Sequence, residues 1–406
     1  MSSLPKDIII HEIISKLPVK SLLRFKCVSK SFYALISSSE LADIHVRESR
    51  SSDENRHLIL AGKDCRNLYS IDIDSPDSVT TIPLPRTPDE SKPRDIIIVG
   101  SIDGLICVGL RGGGGTFPTS KHVLINPSTR VFREIPYKRT PKVPFFGYIS
   151  VSFGFGFDDL NRDFKLVRIT DVHDAKGPLG TVIKLREVIV YSLNENTWKL
   201  VEIVKNRIDE IFMARPNGLR ERQNGILVKN HLLHWVFLVS NNYYRIGCFD
   251  TRSDNWTRDV PLPKELCKAC NKFVMRSLGV INGCLCLSTA TPLLEEVWMM
   301  KDYETKESWV KLFHITDQFD YSCFYQFTQP FFCFRRESKD EVLGTNMNGK
   351  GLFWYDIGPI TYGKKEKIKK IPDFFEGCFF TGSLVEIPGG CHISRDKLND
   401  LFYECY

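Results

Sequence analysis

The sequence predicts a multidomain α and β protein in which a small three-helix segment is followed by a mainly antiparallel β domain. Two patterns carry this prediction. Within the first 45 residues, apolar side chains recur at helical spacing. Beyond residue 58, short apolar runs alternate with polar turns, and a strand, a turn and an aromatic residue follow one another repeatedly.

The helical segment is predicted from one apolar stripe and two helix-start signals. Pro5 suits the first turn of a helix, because a backbone N–H at that position would have no partner within the helix and proline has none to lose. Pro18 opens a second helix, and Ser29 is placed to cap a third. A segment of about 40 residues makes too small a core alone, so part of its apolar surface is expected to contact another chain. The stripe has spacing i, i+3, i+4 and i+7 and consists of Ile10, Ile13, Ile14 and Leu17.

Composition bounds the class of protein. The chain has 406 residues, 42% of them hydrophobic, which is enough for a sizeable core. Its formal net charge of +6 is below what a dedicated nucleic-acid binder shows. The sequence shows neither an apolar leader nor a run of about 18 apolar residues, the length that a membrane helix needs. The 13 cysteines are scattered along apolar runs, which favours reduced thiols over a disulfide framework. We therefore expect a soluble protein of the cytoplasm, the nucleus or both, with no nucleic acid or membrane as partner.

Six anchor residues mark a repeat in the β domain. Each is an Asp, Asn or Ser in or after an apolar strand, and neighbouring anchors lie 52 to 66 residues apart. This period is close to the roughly 50 residues of a kelch-type propeller blade. The anchors are Asp72, Asn126, Ser192, Asp250, Asp302 and Asp356, and the middle four are followed six or seven residues later by Phe132, Trp198, Trp256 and Trp309.

Two-residue turns upstream of the anchors predict tight hairpins. A hairpin, a further strand, a turn and an aromatic strand make one four-stranded antiparallel blade. The sequence therefore predicts a kelch-like β-propeller of about six blades, closed by pairing of a C-terminal strand at 377–387 with the first blade. A β-sandwich or irregular β domain is the alternative. The turns are Asp103-Gly104, Asn230-His231, Asn282-Gly283 and Asn348-Gly349.

The N-terminal residues resemble an F-box, the module that docks a Skp-type adaptor in cullin-based ubiquitin ligases. The resemblance rests on two Leu-Pro pairs thirteen residues apart and on Leu-Leu-Arg-Phe-Lys-Cys-Val-Ser-Lys-Ser at 22–31. Phe32 stands where plant members usually have Trp, which keeps an aromatic anchor with less buried area. The stretch from Lys16 to Lys30 holds five basic residues and no acid, as expected of a surface for an acidic partner or of a solvated helical face. The resemblance implies that the adaptor contact, or the packing behind it, comes from Leu4, Pro5, Ile8, Leu17, Pro18, Leu22, Val28 and Phe32.

A second motif resembles the F-box-associated domains of plant F-box proteins. Residues 153–169 hold a Gly-x-Gly-x-Asp run, then an Asp, an aromatic residue and Lys-Leu-Val-Arg. Alternation puts the phenylalanines of this run on one strand face, and its glycines let a neighbour approach. The resemblance covers nearly the whole chain. It implies an F-box domain at 1–47, a linker at 48–57, an F-box-associated β-propeller-like domain at 58–390 and a C-terminal tail at 391–406.

The sequence holds no strong signature of catalysis or of a metal site. Cys267 and Cys270 have zinc-like spacing, yet no second pair with that spacing accompanies them. His231 and His234 would point to opposite faces of a strand. The glycine run at 112–115 is not followed by the Lys-Ser/Thr pair of a nucleotide site. We therefore expect no cofactor, no metal and no catalytic residue.

The resemblance implies a non-catalytic substrate-recognition subunit of an SCF-type ubiquitin ligase. The F-box would bind the Skp-type adaptor and, through it, a cullin and a RING subunit, while the β domain would hold a protein substrate for ubiquitination and degradation. A non-ligase scaffold and a ligand-binding β-propeller are the alternatives. Substrate contacts are expected in loops at 111–122, 137–148, 171–186 and 206–224. A disordered segment is the alternative interpretation of the last loop. The candidate substrate-binding residues, all in that loop, are Phe212, Met213, Arg215, Arg220 and Arg222.

Overall fold

The chain divides into two compact units, one made of residues 1–137 and 372–406 and the other of residues 138–371. No helix among the residues described below is long and apolar enough to cross a membrane. The computed structural model describes residues 9–51, 56–64, 66–72, 78–85, 95–111, 120–141, 147–177, 180–207, 210–212, 224–239, 243–268, 274–290, 295–315, 335–336, 341–345, 352–356, 364–367 and 371–392.

Two short turns and three α-helices form the N-terminal segment. A π-helical turn at Ile9–Ile13 and a 3-10 turn at Ile14–Lys16 stand where the apolar stripe predicts one regular helix. The change of turn breaks the 3.6-residue spacing, so Ile13 is exposed although Ile14 is buried. The α-helices are α1 (Val19–Phe25), α2 (Lys30–Ile36) and α3 (Ser39–Ser51). The sequence did not predict α3, which extends into the segment expected as a linker.

Two antiparallel sheets complete the first unit. Their strands are β1 (Arg56–Gly62), β2 (Asn67–Asp72), β3 (Val79–Pro83), β4 (Asp95–Ile102), β5 (Leu105–Arg111), β6 (Ser120–Asn126), β7 (Val131–Ile135), β25 (Phe374–Thr381) and β26 (Cys391–His392). Sheet I has the order β25-β1-β2-β3, and sheet II has the order β26-β7-β6-β5-β4. The predicted closing pair is confirmed, because β25 runs antiparallel to β1 with Phe379 opposite Leu58.

Four antiparallel sheets form the second unit, together with the short helix α4 (Lys264–Lys268). The strands are β8 (Gly147–Asp158), β9 (Asp163–Gly177), β10 (Gly180–Ser192), β11 (Thr197–Arg207), β12 (Glu210–Phe212), β13 (Ile226–Val228), β14 (Leu232–Val239), β15 (Tyr243–Asp250), β16 (Asn255–Trp256), β17 (Val274–Ile281), β18 (Cys284–Ala290), β19 (Glu295–Met300), β20 (Trp309–Ile315), β21 (Arg335–Arg336), β22 (Glu341–Thr345), β23 (Leu352–Asp356) and β24 (Lys364–Lys367). Sheet III has the order β11-β10-β9-β8, and sheet IV has β12-β14-β15-β16 with β13 also on β14. Sheets V (β17 to β20) and VI (β21 to β24) follow chain order.

Each of these six sheets carries one predicted anchor, at or just after the end of its third strand. At Asn126 and Asp250, the anchor side chain makes the turn that leads into the fourth strand. Asn126 Oδ1 accepts hydrogen bonds from the backbone N–H groups of Ser128 (2.9 Å) and Thr129 (3.3 Å). Asp250 Oδ1 accepts one from the N–H of Arg252 (2.9 Å). The predicted repeat is therefore confirmed. Its physical basis is that short polar side chains form hydrogen bonds with their own backbone and so favour turns.

The dipeptides predicted as hairpin turns are confirmed where Asn-Gly or Asp-Gly is present and described. Asp103 and Gly104 have φ of 52° and 77°, and Asn282 and Gly283 have 48° and 75°, the left-handed pair that a type I′ turn needs. The third turn is shifted by one residue, since Lys229 and Asn230 take the positive φ values. Asn348-Gly349 lies outside the described residues.

The core of sheets III and IV explains the glycines in β8. A Cβ on Gly154 would come within 2.7 Å of the Trp235 ring, so only glycine lets this indole approach the strand. The Trp235 Nε1 donates to Ser152 Oγ at 2.9 Å. On the other side of the strand, Phe155 is buried and its ring lies 5.9 Å from that of Phe164. The predicted structural role of this motif is therefore confirmed.

Candidate functional site

The N-terminal helices enclose a small apolar core. Leu22 is fully buried at its centre, which follows from its position on the inward side of α1. Ser29 caps α2 as predicted, because its Oγ accepts a hydrogen bond from the N–H of Phe32 at 3.1 Å. The buried members of this core are Ile14, Val19, Leu22, Ile36, Leu41, Ala42 and Leu384.

An apolar patch lies at the surface where α1 passes into α2, and we define it as the exposed Phe25, Val28 and Tyr33 together with Phe32, which is half-buried against the helical core. Val28 is 66% exposed, Tyr33 59% and Phe25 39%. The rings of Phe25 and Phe32 are 6.1 Å apart. Large apolar side chains are rarely left in water as a cluster unless another molecule covers them. The patch is therefore the candidate docking site of the helical segment.

Basic side chains border the apolar patch. Lys26 Nζ lies 5.8 Å from the centre of the Tyr33 ring, and Lys20, Arg24 and Lys30 are exposed on the same two helices. The fifth basic residue of the predicted strip, Lys16, is instead paired with Glu12 at 2.8 Å. One helical turn brings these two side chains together, so Glu12 neutralises this end of the strip. The remaining four cations favour an acidic partner.

The predicted adaptor residues divide between the patch and the packing behind it. Val28 and Phe32 belong to the patch, Pro18 is exposed, and Leu17 is half-buried against the helical core. Leu22 is wholly internal. Leu4, Pro5 and Ile8 lie outside the described residues. Phe25 and Tyr33 were missing from the predicted adaptor residues, and no spacing rule marked either of them as exposed.

The segment at 382–387 ties the helical segment to sheet II, and we call it the strap. Leu384 of the strap belongs to the helical core. Asn126 Nδ2 donates to the carbonyls of Ser383 (3.2 Å) and Val385 (2.8 Å). Beside the strap, Arg50 at the end of α3 binds both carboxylate oxygens of Asp103, at 2.9 and 2.6 Å. Sequence reasoning expected strand throughout this segment and did not find its contact with the helices.

The predicted substrate loops have mixed outcomes. The expectation of a loop at 171–186 is wrong: β9 continues to Gly177 and β10 begins at Gly180. The hairpin is extended there by a buried ion pair, since Arg186 binds Asp171 through two contacts of 2.7 and 2.8 Å. Phe212 ends β12, which pairs with β14. Met213, Arg215, Arg220 and Arg222 lie outside the described residues, as does most of 111–122.

The buried polar residues of the second unit form ion pairs and hydrogen bonds that stabilise the fold. Lys165 Nζ contacts Asp158 (3.1 Å) and Asp254 (2.9 Å), which joins the predicted turn to sheet IV. His234 is fully buried, and its Nε2 lies 2.6 Å from the Tyr303 hydroxyl. Burial lowers the pKa of His234 to about 4, so the imidazole is neutral at pH 7. Within the described ranges, no group of three or more His, Cys, Asp or Glu residues is placed to hold a metal ion.

A helical segment with an exposed apolar patch, followed by repeated four- and five-stranded antiparallel sheets, defines a β-propeller protein that carries a docking module. Comparison with known families identifies both parts. Residues 1–43 match the F-box domain, and residues 58–387 match the F-box associated beta propeller domain. The chain therefore belongs to the plant F-box proteins with an F-box-associated β-propeller, as the sequence motifs indicated.

Individual relatives agree with this family assignment. The chain is 30% identical to F-box protein CPR1 of Arabidopsis thaliana, in a match covering 99% of this chain and 92% of that protein. It is 28% identical to F-box protein At4g22390 of the same plant, over 88% of this chain and 84% of that protein. The similarity thus extends through both the helical segment and the β domain.

Proposed function

We propose that this chain is the substrate-recognition subunit of an SCF-type ubiquitin ligase. The F-box binds a Skp-type adaptor, and through it a cullin and a RING subunit, while the propeller holds a target protein for ubiquitination and degradation. The exposed apolar patch with its basic border is the observation that supports the adaptor contact, because a hydrophobic centre with a charged rim is typical of protein interfaces. The proposal includes a cytoplasmic or nuclear location, or both.

The proposed subunit acts by proximity and performs no bond chemistry. Holding a target beside a ubiquitin-conjugating enzyme raises the local concentration of its lysines, so the affinity and geometry of the two contacts set which protein is modified. Geometry matters here because the strap and the Arg50–Asp103 pair attach the F-box to sheet II. The strap keeps the docking patch in a defined position on the first unit.

The test is a pull-down of the purified full chain with a plant Skp-type adaptor. Val28→Glu is expected to weaken binding by at least about tenfold, because it places an unpaired charge in an apolar contact. Leu160→Glu is the matched control: Leu160 is 73% exposed, close to the 66% of Val28, and lies in the turn after β8. Equal binding by the wild type and both variants would contradict the patch assignment, and no binding by the folded wild type would contradict the adaptor function.

A further inference from the structure

Sheet III has the longest described strands of the molecule. Its four strands hold 12, 15, 13 and 11 residues. The strand β11 is the last of this sheet, and among the described residues no strand pairs with its second edge. An extended strand rises about 3.3 Å per residue, so this edge presents a row of backbone N–H and C=O groups roughly 36 Å long.

The corresponding edges of the other described sheets are shorter or covered. In sheet II, β7 is paired with β26. The strands β16 and β24 have two and four residues, and β3 has five and ends at Pro83, which has no N–H to donate. The strand β20 has seven residues. At the other end of sheet III, the 12-residue β8 is met by backbone hydrogen bonds, since Gly225 N–H donates to the Phe153 carbonyl and Phe157 N–H donates to the Asn230 carbonyl. Among the described outer strands, β11 is therefore the longest open edge.

Apolar side chains line β11 on one face. The register pairs Leu200 with Ile189 and Ile203 with Glu187, and Val201 is the extra residue between them. This bulge brings Leu200 and Ile203, three positions apart, to the same face of the sheet. They are 52% and 48% exposed. Val201 packs instead into the core of sheets III and IV.

The charge of this edge is basic. Lys199 and Lys205 of β11 are both exposed. The neighbouring carboxylates have partners within the chain: Glu187 accepts a hydrogen bond from Arg168 at 2.9 Å, and Glu202 accepts one from Trp256 Nε1 at 3.0 Å. The ion pair with Arg168 neutralises Glu187, whereas the bond from the uncharged indole leaves the charge of Glu202 in place. Among the described side chains of β11, two lysines therefore outweigh one carboxylate.

We infer that the open edge of β11 is a docking site for an extended acidic segment of the substrate protein, which adds to sheet III as a fifth strand. A row of backbone groups at the edge of a sheet is complementary to another extended chain. Apolar residues of that segment would cover Leu200 and Ile203, and its carboxylates would meet Lys199 and Lys205. A second copy of this chain fits poorly, because two β11 strands would bring like charges together. The inference rests on the proposed function, since it names a feature of the substrate.

The test uses two synthetic peptides of the length of β11 that place valines beside Leu200 and Ile203 and charged residues beside Lys199 and Lys205, with glutamates in one peptide and lysines in the other. Binding to the full chain is measured by fluorescence anisotropy, and the site is located by amide hydrogen exchange. We expect the acidic peptide to bind at least about tenfold more tightly than the basic one. We also expect it to slow exchange in β11 specifically. No saturable binding of the acidic peptide, or slowed exchange only outside β11, would overturn the inference.

Charge reversal gives the second arm of the test. Lys199→Glu/Lys205→Glu is expected to reverse the preference toward the basic peptide, a gain that misfolding cannot produce. The matched control is Lys301→Glu/Lys306→Glu, which changes the net charge equally in the segment between β19 and β20 and should keep the preference for the acidic peptide. An unchanged preference in the β11 variant would overturn the inference. The same variant should still bind the Skp-type adaptor, so a failure of adaptor binding tests the proposed function separately.

Discussion

The apolar patch of the F-box and the aromatic cluster between sheets III and IV use the same residue types in opposite surroundings. In the cluster, the Trp256 ring lies 5.8 Å from Trp235, 5.7 Å from Phe237 and 5.4 Å from Phe249, all near edge-to-face. In the patch, the ring of Phe25, which is 39% exposed, lies 6.1 Å from the half-buried ring of Phe32. Aromatic rings whose contacts lie within the chain contribute to folding, whereas rings left exposed remain available for a partner.

The largest expected effect is in the aromatic cluster. Trp235→Ala should lower the free energy of unfolding by about 4 kcal/mol, because Trp235 is 1% exposed and its loss leaves a cavity beside Gly154. Urea denaturation monitored by fluorescence measures this loss. A change below about 1 kcal/mol would show that the cluster is not the cohesive core that its geometry indicates.

The strap is the next place to probe, because it supplies a core residue to the F-box from near the other end of the chain. Leu384→Ala should cost about 3 kcal/mol and speed amide exchange in α1 and α2, since Leu384 is 4% exposed. Adaptor affinity should fall with it. Glu386→Ala, an exposed change in the same strap, serves as the control. Unchanged exchange in Leu384→Ala would mean that the F-box folds independently of the strap.

Acid should weaken the second unit in particular. Burial lowers the pKa of His173 and of His234 to about 4, below the usual 6.5. Because the folded-state pKa is the lower one, the stabilisation is complete above pH 6.5 and is lost as the pH falls towards 4. Each histidine should cost roughly 2 kcal/mol at pH 5.

Thermal unfolding at pH 7.5 and pH 5 measures this loss. His234→Gln should reduce the difference between the two pH values, and His392→Gln, at an exposed residue of the first unit, should leave it unchanged. An equal pH dependence in both variants would assign the acid sensitivity to other groups.

The smallest effect on stability is expected in the patch. Tyr33→Ala should change the free energy of unfolding by less than about 0.5 kcal/mol, because the ring is 59% exposed. The same change should weaken adaptor binding about tenfold by removing a central aromatic contact. Calorimetry of the complex and denaturation of the free chain measure the two quantities. A large loss of stability would place Tyr33 with the core residues instead.

Local patterns predicted the parts of this fold that neighbouring residues control. The left-handed turn at Asp103-Gly104, the cap of Ser29 on α2 and the turn made by Asn126 follow from a few adjacent side chains. The prediction of a loop at 171–186 was wrong because the structure of this segment depends on a contact between residues that are not adjacent in the sequence. Its polar residues resembled a loop, but the Arg186–Asp171 pair is satisfied across the hairpin and buried.

By itself, the sequence determined that a helical segment precedes a β domain, the repeat with its turns, and the family motifs, because these depend on spacing along the chain. The tertiary structure alone decided which apolar residues remain exposed. Phe25 and Leu22 lie on one helix at a spacing that predicts a shared face, yet Phe25 is exposed and Leu22 is buried. That difference arises from elements distant in sequence, including Leu384 of the strap, since burial depends on what packs against a residue and not on the residue itself.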